Sequence, residues 1–302
     1  MKKAILFSAM TLLCVSIFAQ EAFKALAVRG QIVVQRANDT ENFQPVKAGT
    51  KFNMNDKIIL NEKSYLGLTS TSGKTIELKA EGVYNVSDLN GNIKADNSSI
   101  AQKYVAYVFN EMRASDDNHA KNMSITGSVE RSLEKVDINL LLPTATRIVS
   151  APTQISWNAN PMVKEYSVQI VNMFDEIAYE QSSSTTSAIV DFSKINFDPD
   201  QVYRLVVVNK AKPKQVSVKV VLNRPDVDEA NELLTALNEL KADFDEFSAI
   251  QNMIMGSFLE KNGLYAFAIP YYQKAIELEP EVEAYQEAYN DFMVKMGLVA
   301  SK

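Results

Sequence analysis

Cysteine is almost missing from this chain of 302 residues: Cys14 is the only one. It lies in an apolar run, Ala4–Phe18, behind Lys2 and Lys3, which has the build of a secretory leader. Leu13 stands before Cys14 where a lipid-anchor signal needs a small residue. Ala19 suits the cleavage position, so residues 1–19 read as a signal peptide and Gln20 begins an exported chain without disulfides or thiol chemistry. A retained leader acting as an anchor is the alternative. Histidine occurs once, at His119, and tryptophan once, at Trp157. One imidazole and no mature thiol cannot make up the three or four ligands of a metal site. They also leave the commonest general base and nucleophile almost unrepresented. No pair of carboxylates stands out at the end of a cleft strand, as glycoside hydrolysis requires. Thr71-Ser72-Gly73-Lys74-Thr75 lacks the spacing of a phosphate-binding loop. The expectation is no enzyme, no metal and no cofactor. Positive charge is not in excess either: 31 Lys and Arg stand against 37 Asp and Glu, and a nucleic-acid footprint would be basic. Beyond the leader, no apolar run approaches the roughly 20 residues of a membrane span.

Removal of the leader leaves 283 residues (302 − 19), enough for two or three domains. Residues 20–97 alternate in short apolar strands, with turn residues at Gly49, Asn55-Asp56, Ser72-Gly73 and Glu81-Gly82. The expected inward positions include Ile76, Leu78, Val83 and Val86. The strand Val28-Arg29-Gly30-Gln31-Ile32-Val33-Val34 is followed by Pro45-Val46-Lys47-Ala48-Gly49 and Asn55-Asp56-Lys57-Ile58-Ile59-Leu60. Ser64-Tyr65-Leu66-Gly67-Leu68 and Gly73-Lys74-Thr75-Ile76-Glu77-Leu78 complete the pattern. Together these resemble the FecR-type domain of bacterial envelope proteins. FecR regulators also carry a cytoplasmic anti-sigma segment and a transmembrane helix. Neither is present here, so their regulatory role does not follow from the domain.

Residues 98–123 read as a helix and linker: Ile100, Tyr104, Val108 and Met112 share one stripe over 98–114, and a polar stretch containing His119 follows. Residues 124–224 return to strands, at Ile155–Trp157, Tyr166–Val171, Ala188–Asp191, Tyr203–Val208 and Val216–Val221. In the last, Val216, Val218 and Val220 alternate with Ser217 and Lys219. This spacing, with Trp157 as a core candidate rather than a sugar platform, is similar to an immunoglobulin or fibronectin-III β-sandwich.

From Pro225 to the end the composition turns helical and acidic, with 15 Asp and Glu against 5 Lys, a net of −10. Asp226–Phe244 has an apolar stripe of Ala230, Leu233, Leu234, Leu237 and Leu240. Residues 249–280 read as a helical hairpin broken at Asn262-Gly263. Gly256, Ala268 and Ala275 are small where helices must touch, Leu259, Tyr265 and Tyr272 are large, and Pro280 ends the unit. This resembles a tetratricopeptide (TPR) repeat, with Asn252 departing from the large apolar residue usual at its position. Val282–Met296 reads as a last helix ended by Gly297.

The expected fold is therefore multidomain β plus α: a small FecR-like all-β domain, a central immunoglobulin/fibronectin-III-like sandwich, and a TPR-like helical bundle at 225–302. The TPR resemblance implies a partner-binding concave face made by Ile250, Met253, Ser257, Glu260 and Lys261, with Tyr271 the aromatic expected to be exposed. A lone repeat can equally pack against the sandwich or mediate self-association. The function expected is a non-enzymatic protein-binding or scaffolding module in the periplasm or at the outer cell surface of a Gram-negative cell, with envelope proteins as partners. Binding of carbohydrate or peptidoglycan by the β domains, or a FecR-related signalling role, are the alternatives.

Overall fold

The computed structural model describes residues 21–70, 72–91, 138–242 and 245–298. The leader, the helix expected at 98–114, His119 and the first part of the 124–224 region lie outside the described residues.

Residues 21–91 form two four-stranded antiparallel sheets. Their strands are β1 (Glu21–Arg29), β2 (Ile32–Arg36), β3 (Asp39–Pro45), β4 (Lys51–Asn53), β5 (Lys57–Leu60), β6 (Tyr65–Ser70), β7 (Thr75–Leu78) and β8 (Gly82–Asn85). The orders are β4-β1-β6-β7 and β3-β2-β5-β8. Phe23, Phe52, Ile58, Leu66 and Leu68 fill the space between them. Gly30 makes the turn from the first sheet to the second at φ 82°, and a Cβ there would sit 2.6 Å from the Ser64 hydroxyl. The Asn55-Asp56 turn is fixed by the buried Asp56 carboxylate, which accepts from the Asn53 N–H at 2.9 Å and from Arg36 at 2.7 Å. The expected alternation fails at the end of this unit. Val83 points to solvent, while Val86 is fully buried at the start of a short helix, α1 (Val86–Gly91). Every residue of β6 is buried, so the first sheet is covered on both faces.

The central unit has β9 (Ala145–Arg147), β10 (Pro152–Ser156), β11 (Tyr166–Val171), β12 (Ile177–Ser183), β13 (Ser187–Asp191), β14 (Tyr203–Asn209) and β15 (Val220–Asn223). A five-stranded sheet, β12-β11-β14-β15-β9, faces the β10-β13 pair. Trp157 is buried with its ring edge-on to Tyr166 at 5.2 Å, which closes it to a sugar. The strand expected over Val216–Val221 is interrupted. Ser217 turns inward, its Oγ accepting from the Val207 N–H at 2.9 Å, and Val218 is left exposed. A hydroxyl bonded to the backbone thus replaces the expected valine register. β12 escaped the sequence reading because it is an exposed edge strand with few apolar residues.

Four helices end the described chain: α2 (Val227–Lys241), α3 (Ala249–Lys261), α4 (Tyr265–Leu278) and α5 (Glu283–Lys295). Asp226 caps α2 by accepting from the Glu229 N–H at 2.8 Å. Gly297, at φ 64°, follows α5 in the left-handed conformation that stops a helix. α3 and α4 form a hairpin turning at Gly263. A Cβ on Gly256 would lie 3.1 Å from the Tyr272 ring, so the small residue there permits the close crossing. α3 is buried around most of its circumference, the mark of a core helix rather than a surface one.

Candidate functional site at the junction of helices and sheets

The five residues expected to face a partner do not form an open groove. Ile250 and Met253 are 1% and 0% exposed, and Ser257 is buried. Glu260 is half-buried, accepting from the Tyr272 hydroxyl at 2.5 Å and lying 3.7 Å from Lys295, and Lys261 alone is exposed. The N-terminal sheet covers Ile250, while the Tyr272 hydroxyl of α4 meets Ser257 at 3.1 Å. A Cβ on Gly67 of β6 would come within 3.0 Å of Ile250 Cδ1, so glycine lets α3 lie directly on the strand. Sequence spacing placed these residues on one helix face; which surface fills that face is a long-range fact. Tyr271, expected to be exposed, is partly buried against the core.

The contact between sheet and helices is organised by Glu77 of β7. Its Oε1 accepts from the Tyr65 hydroxyl at 2.8 Å, the Ile250 N–H at 2.8 Å and the Ser248 hydroxyl at 3.1 Å. Two of these donors belong to the start of α3. The carboxylate therefore caps a helix about 170 residues away in sequence and meets the positive end of its dipole. Lys79 bridges Glu77 at 3.0 Å and Glu279 at 2.9 Å. Arg29 of β1 reaches Glu279 and Glu281, both at 3.3 Å. Beneath these ion pairs the Tyr65 and Tyr285 hydroxyls meet at 2.7 Å, with their rings edge to face at 6.1 Å. Burial drives the Tyr65 phenol far above its usual range, and the neighbouring Tyr285 and Glu77 push it further. Burial does the same to Tyr285. Both phenols stay neutral and serve as hydrogen-bonding groups. Burial alone would lower the Lys79 ammonium, but bonds to Glu279 and Glu77 outweigh it and hold its pKa above the ordinary lysine value.

The central sandwich grips the same hairpin from another side. The Arg147 N–H donates to the Gly263 carbonyl at 2.9 Å, and its guanidinium bonds the Asn262 carbonyl at 3.2 Å and Glu229 at 2.6 Å. Gly263 has φ 74°, and a Cβ there would meet Arg147 Cδ at 2.9 Å. α4 carries Pro270 in its interior. Proline has no N–H, so the carbonyl four residues earlier, on Ala266, loses its helical donor. Thr153 of β10 supplies one, its hydroxyl donating to Ala266 O at 3.1 Å in a buried setting. The Thr146 hydroxyl accepts from the Ala266 N–H at 3.3 Å, serving a helix start that has no side-chain cap of its own. Asn252, the departure from the repeat pattern, is buried and donates to the Glu246 and Ser248 carbonyls at 3.1 and 2.8 Å. It ties down the approach to α3.

Glu77, Lys79, Thr146 and Thr153 were not legible as a site. Pro270 inside a helical period was the one local sign that an outside donor is needed. Among the described residues no cluster of His, Cys, Asp and Glu could hold a metal ion, and no helix is long and apolar enough to cross a membrane.

No protein family matches the chain by sequence, and no curated protein does. Among solved structures, the crystal structure of the FN5 domain of Drosophila Lar is similar at 17% identity, covering 28% of this chain and 98% of that domain, with a TM-score of 0.19. A likeness at that score carries no argument. What stands is a mixed β and α chain of several sheets with a C-terminal region of four helices.

Proposed function

We propose that this chain is a non-enzymatic scaffolding protein, exported by its leader and working in the periplasm or at the outer surface of a Gram-negative cell. In this reading the FecR-like unit and the fibronectin-III-like sandwich form a rigid frame, and the TPR-like hairpin is its keystone rather than an open groove. The observation that supports it is the double grip on the hairpin. Glu77 of one β unit caps α3, and Thr146, Arg147 and Thr153 of the other hold α4 and the turn before it. A hairpin fixed at both ends presents its outer helices in one orientation, which reduces the ordering cost of binding. The surface offered is the exposed acidic side of α2, with Asp228, Glu232 and Glu239, suited to steering a basic partner.

The test is capture from envelope extracts by the full chain, compared with a variant carrying Asp228→Asn, Glu232→Gln and Glu239→Gln. A specific protein retained by the parent and lost with the variant is the expected result. Retention of cell-wall sacculi by both, with no protein partner, would overturn this reading in favour of glycan binding.

A further inference from the structure

β12 is the outermost strand of the five-stranded sheet, with β11 on its inner side. The hydrogen-bond ladder tells which of its backbone groups are left over. The Lys210 N–H donates to the Glu165 carbonyl at 3.1 Å, and the Asn172 N–H to the Glu176 carbonyl at 3.0 Å. Bonds alternate along a strand, so odd-numbered residues of β11 serve β14 and even-numbered ones serve β12. By register, Tyr179, Gln181 and Ser183 of β12 complete that inner ladder. Glu180 and Ser182, both exposed, turn their N–H and C=O groups the other way. Among the described residues no backbone group meets them. Sheet edges are ordinarily blunted by charges, proline or bulges. β3, an edge of the second N-terminal sheet, carries Asp39, Glu41 and Pro45. β12 has no proline, lysine or arginine. A register shift that skips Ala178 leaves residues 179–183 as its regular part.

We propose that a second copy of this chain pairs with this edge, β12 antiparallel to β12 about a two-fold axis beside Gln181. Two observations select that occupant. The first is that the regular part of the strand complements itself. With Gln181 opposite its own copy, Glu180 lies opposite Ser182 of the second copy and Tyr179 opposite Ser183. Each outward N–H and C=O of Glu180 and Ser182 then meets its counterpart. The second is charge. Lys210 Nζ donates to the Ser182 hydroxyl at 3.0 Å, so each Glu180 comes beside the Lys210 ammonium of the other copy. Sliding the pairing one way sets Glu180 against Glu180. Bonds from Ser167 and Gln169 hold that carboxylate below its ordinary pKa and keep it charged. Sliding it the other way carries Glu180 past the end of the strand at Ser183. In the chosen register the two five-stranded sheets run on as one. Edge pairing buries little surface, so the dimer is weak and reversible. The edge is separate from α2, and its pairing does not depend on the scaffolding role.

The experiment is analytical ultracentrifugation of the full chain from micromolar to millimolar concentration, where a reversible monomer–dimer equilibrium is expected. Ser182→Pro removes an outward N–H without touching the bonds to β11, and should weaken the dimer about tenfold or more. Glu180→Lys and Lys210→Glu should each weaken it about tenfold, because like charges then face each other across the axis. Combining Glu180→Lys with Lys210→Glu should restore most of the loss. Unchanged melting at micromolar concentration confirms that each variant is folded. A chain that stays monomeric at every concentration would overturn the proposal and leave the edge to an extended strand of another protein. A dimer indifferent to Ser182→Pro, or a charge swap that restores nothing, would overturn it too. The α2 capture test stands or falls by itself.

Discussion

Gly67 is the residue on which the joining of sheet and helix turns. A Cβ there would lie 3.0 Å from Ile250 Cδ1 and 3.5 Å from the Tyr285 hydroxyl. Gly67→Val should destabilise the protein by about 1–3 kcal/mol through overpacking, measured as a lower midpoint in urea with an unchanged slope. Unaltered stability would mean that α3 does not lie on β6 as described. Tyr65 and Tyr285 give a second residue-level expectation. Their folded pKa values lie above the ordinary phenol value of about 10. Their contribution is therefore fully present below pH 10 and is lost as pH rises further, because the unfolded chain releases protons that the folded chain retains. Stability measured from pH 8 to 11.5 should be level and then fall by up to about 1.4 kcal/mol per pH unit for each such tyrosine. Tyr285→Phe should flatten that fall. An equally steep fall in the variant would place the titration elsewhere.

At the scale of elements, α4 is a helix with a built-in defect repaired by a neighbour. Thr153→Val keeps the shape but removes the donor to Ala266 O, and should cost about 1–3 kcal/mol for the unsatisfied carbonyl. Pro270→Ala restores the helical N–H to that same carbonyl. The double variant should therefore recover most of the loss, giving a coupling of about 1 kcal/mol or more in a double-mutant cycle. Additive effects would show that the proline and the threonine are unrelated. The helices themselves were legible from their period. Asn262-Gly263 at the turn and Gly297 after α5 marked two of the ends, whereas Asp226, read as the first residue of a helix reaching Phe244, is the cap before a helix that ends at Lys241. The run Val216–Val221 was misread in its first part because alternation assumes a continuous strand, whereas the strand begins at Val220 and the Ser217 hydroxyl turns inward to accept from the Val207 N–H of β14.

For the whole molecule, the main core runs without interruption from Ala27 and Tyr65 of the first β unit, through Trp157 and Leu205 of the sandwich, to Met253, Tyr272 and Phe292 of the helices. Units that share a core are expected to unfold together. Calorimetry of the full chain should give one main transition with equal calorimetric and van't Hoff enthalpies. Two well-separated transitions would show that the β units are independent and that the junction is an incidental contact. Glu77→Gln, which keeps an acceptor but removes the charge shared with Lys79 and the α3 dipole, should lower that transition without splitting it.

The sequence by itself determined the order of strand-rich and helical regions, the turn of the helical hairpin, the small-residue crossing at Gly256, and the burial of Trp157. These follow from backbone propensity and period, which act over a few residues. It did not determine what covers α3. Ile250 and Met253 have the spacing of an exposed recognition face, and only the folded chain brings Gly67 of β6 against Ile250 and buries both. Nor did it show why Glu77, Thr146 and Thr153 matter, because each satisfies a helix group more than a hundred residues away. A buried polar atom needs a partner wherever the chain can supply one, and that choice is made by tertiary packing.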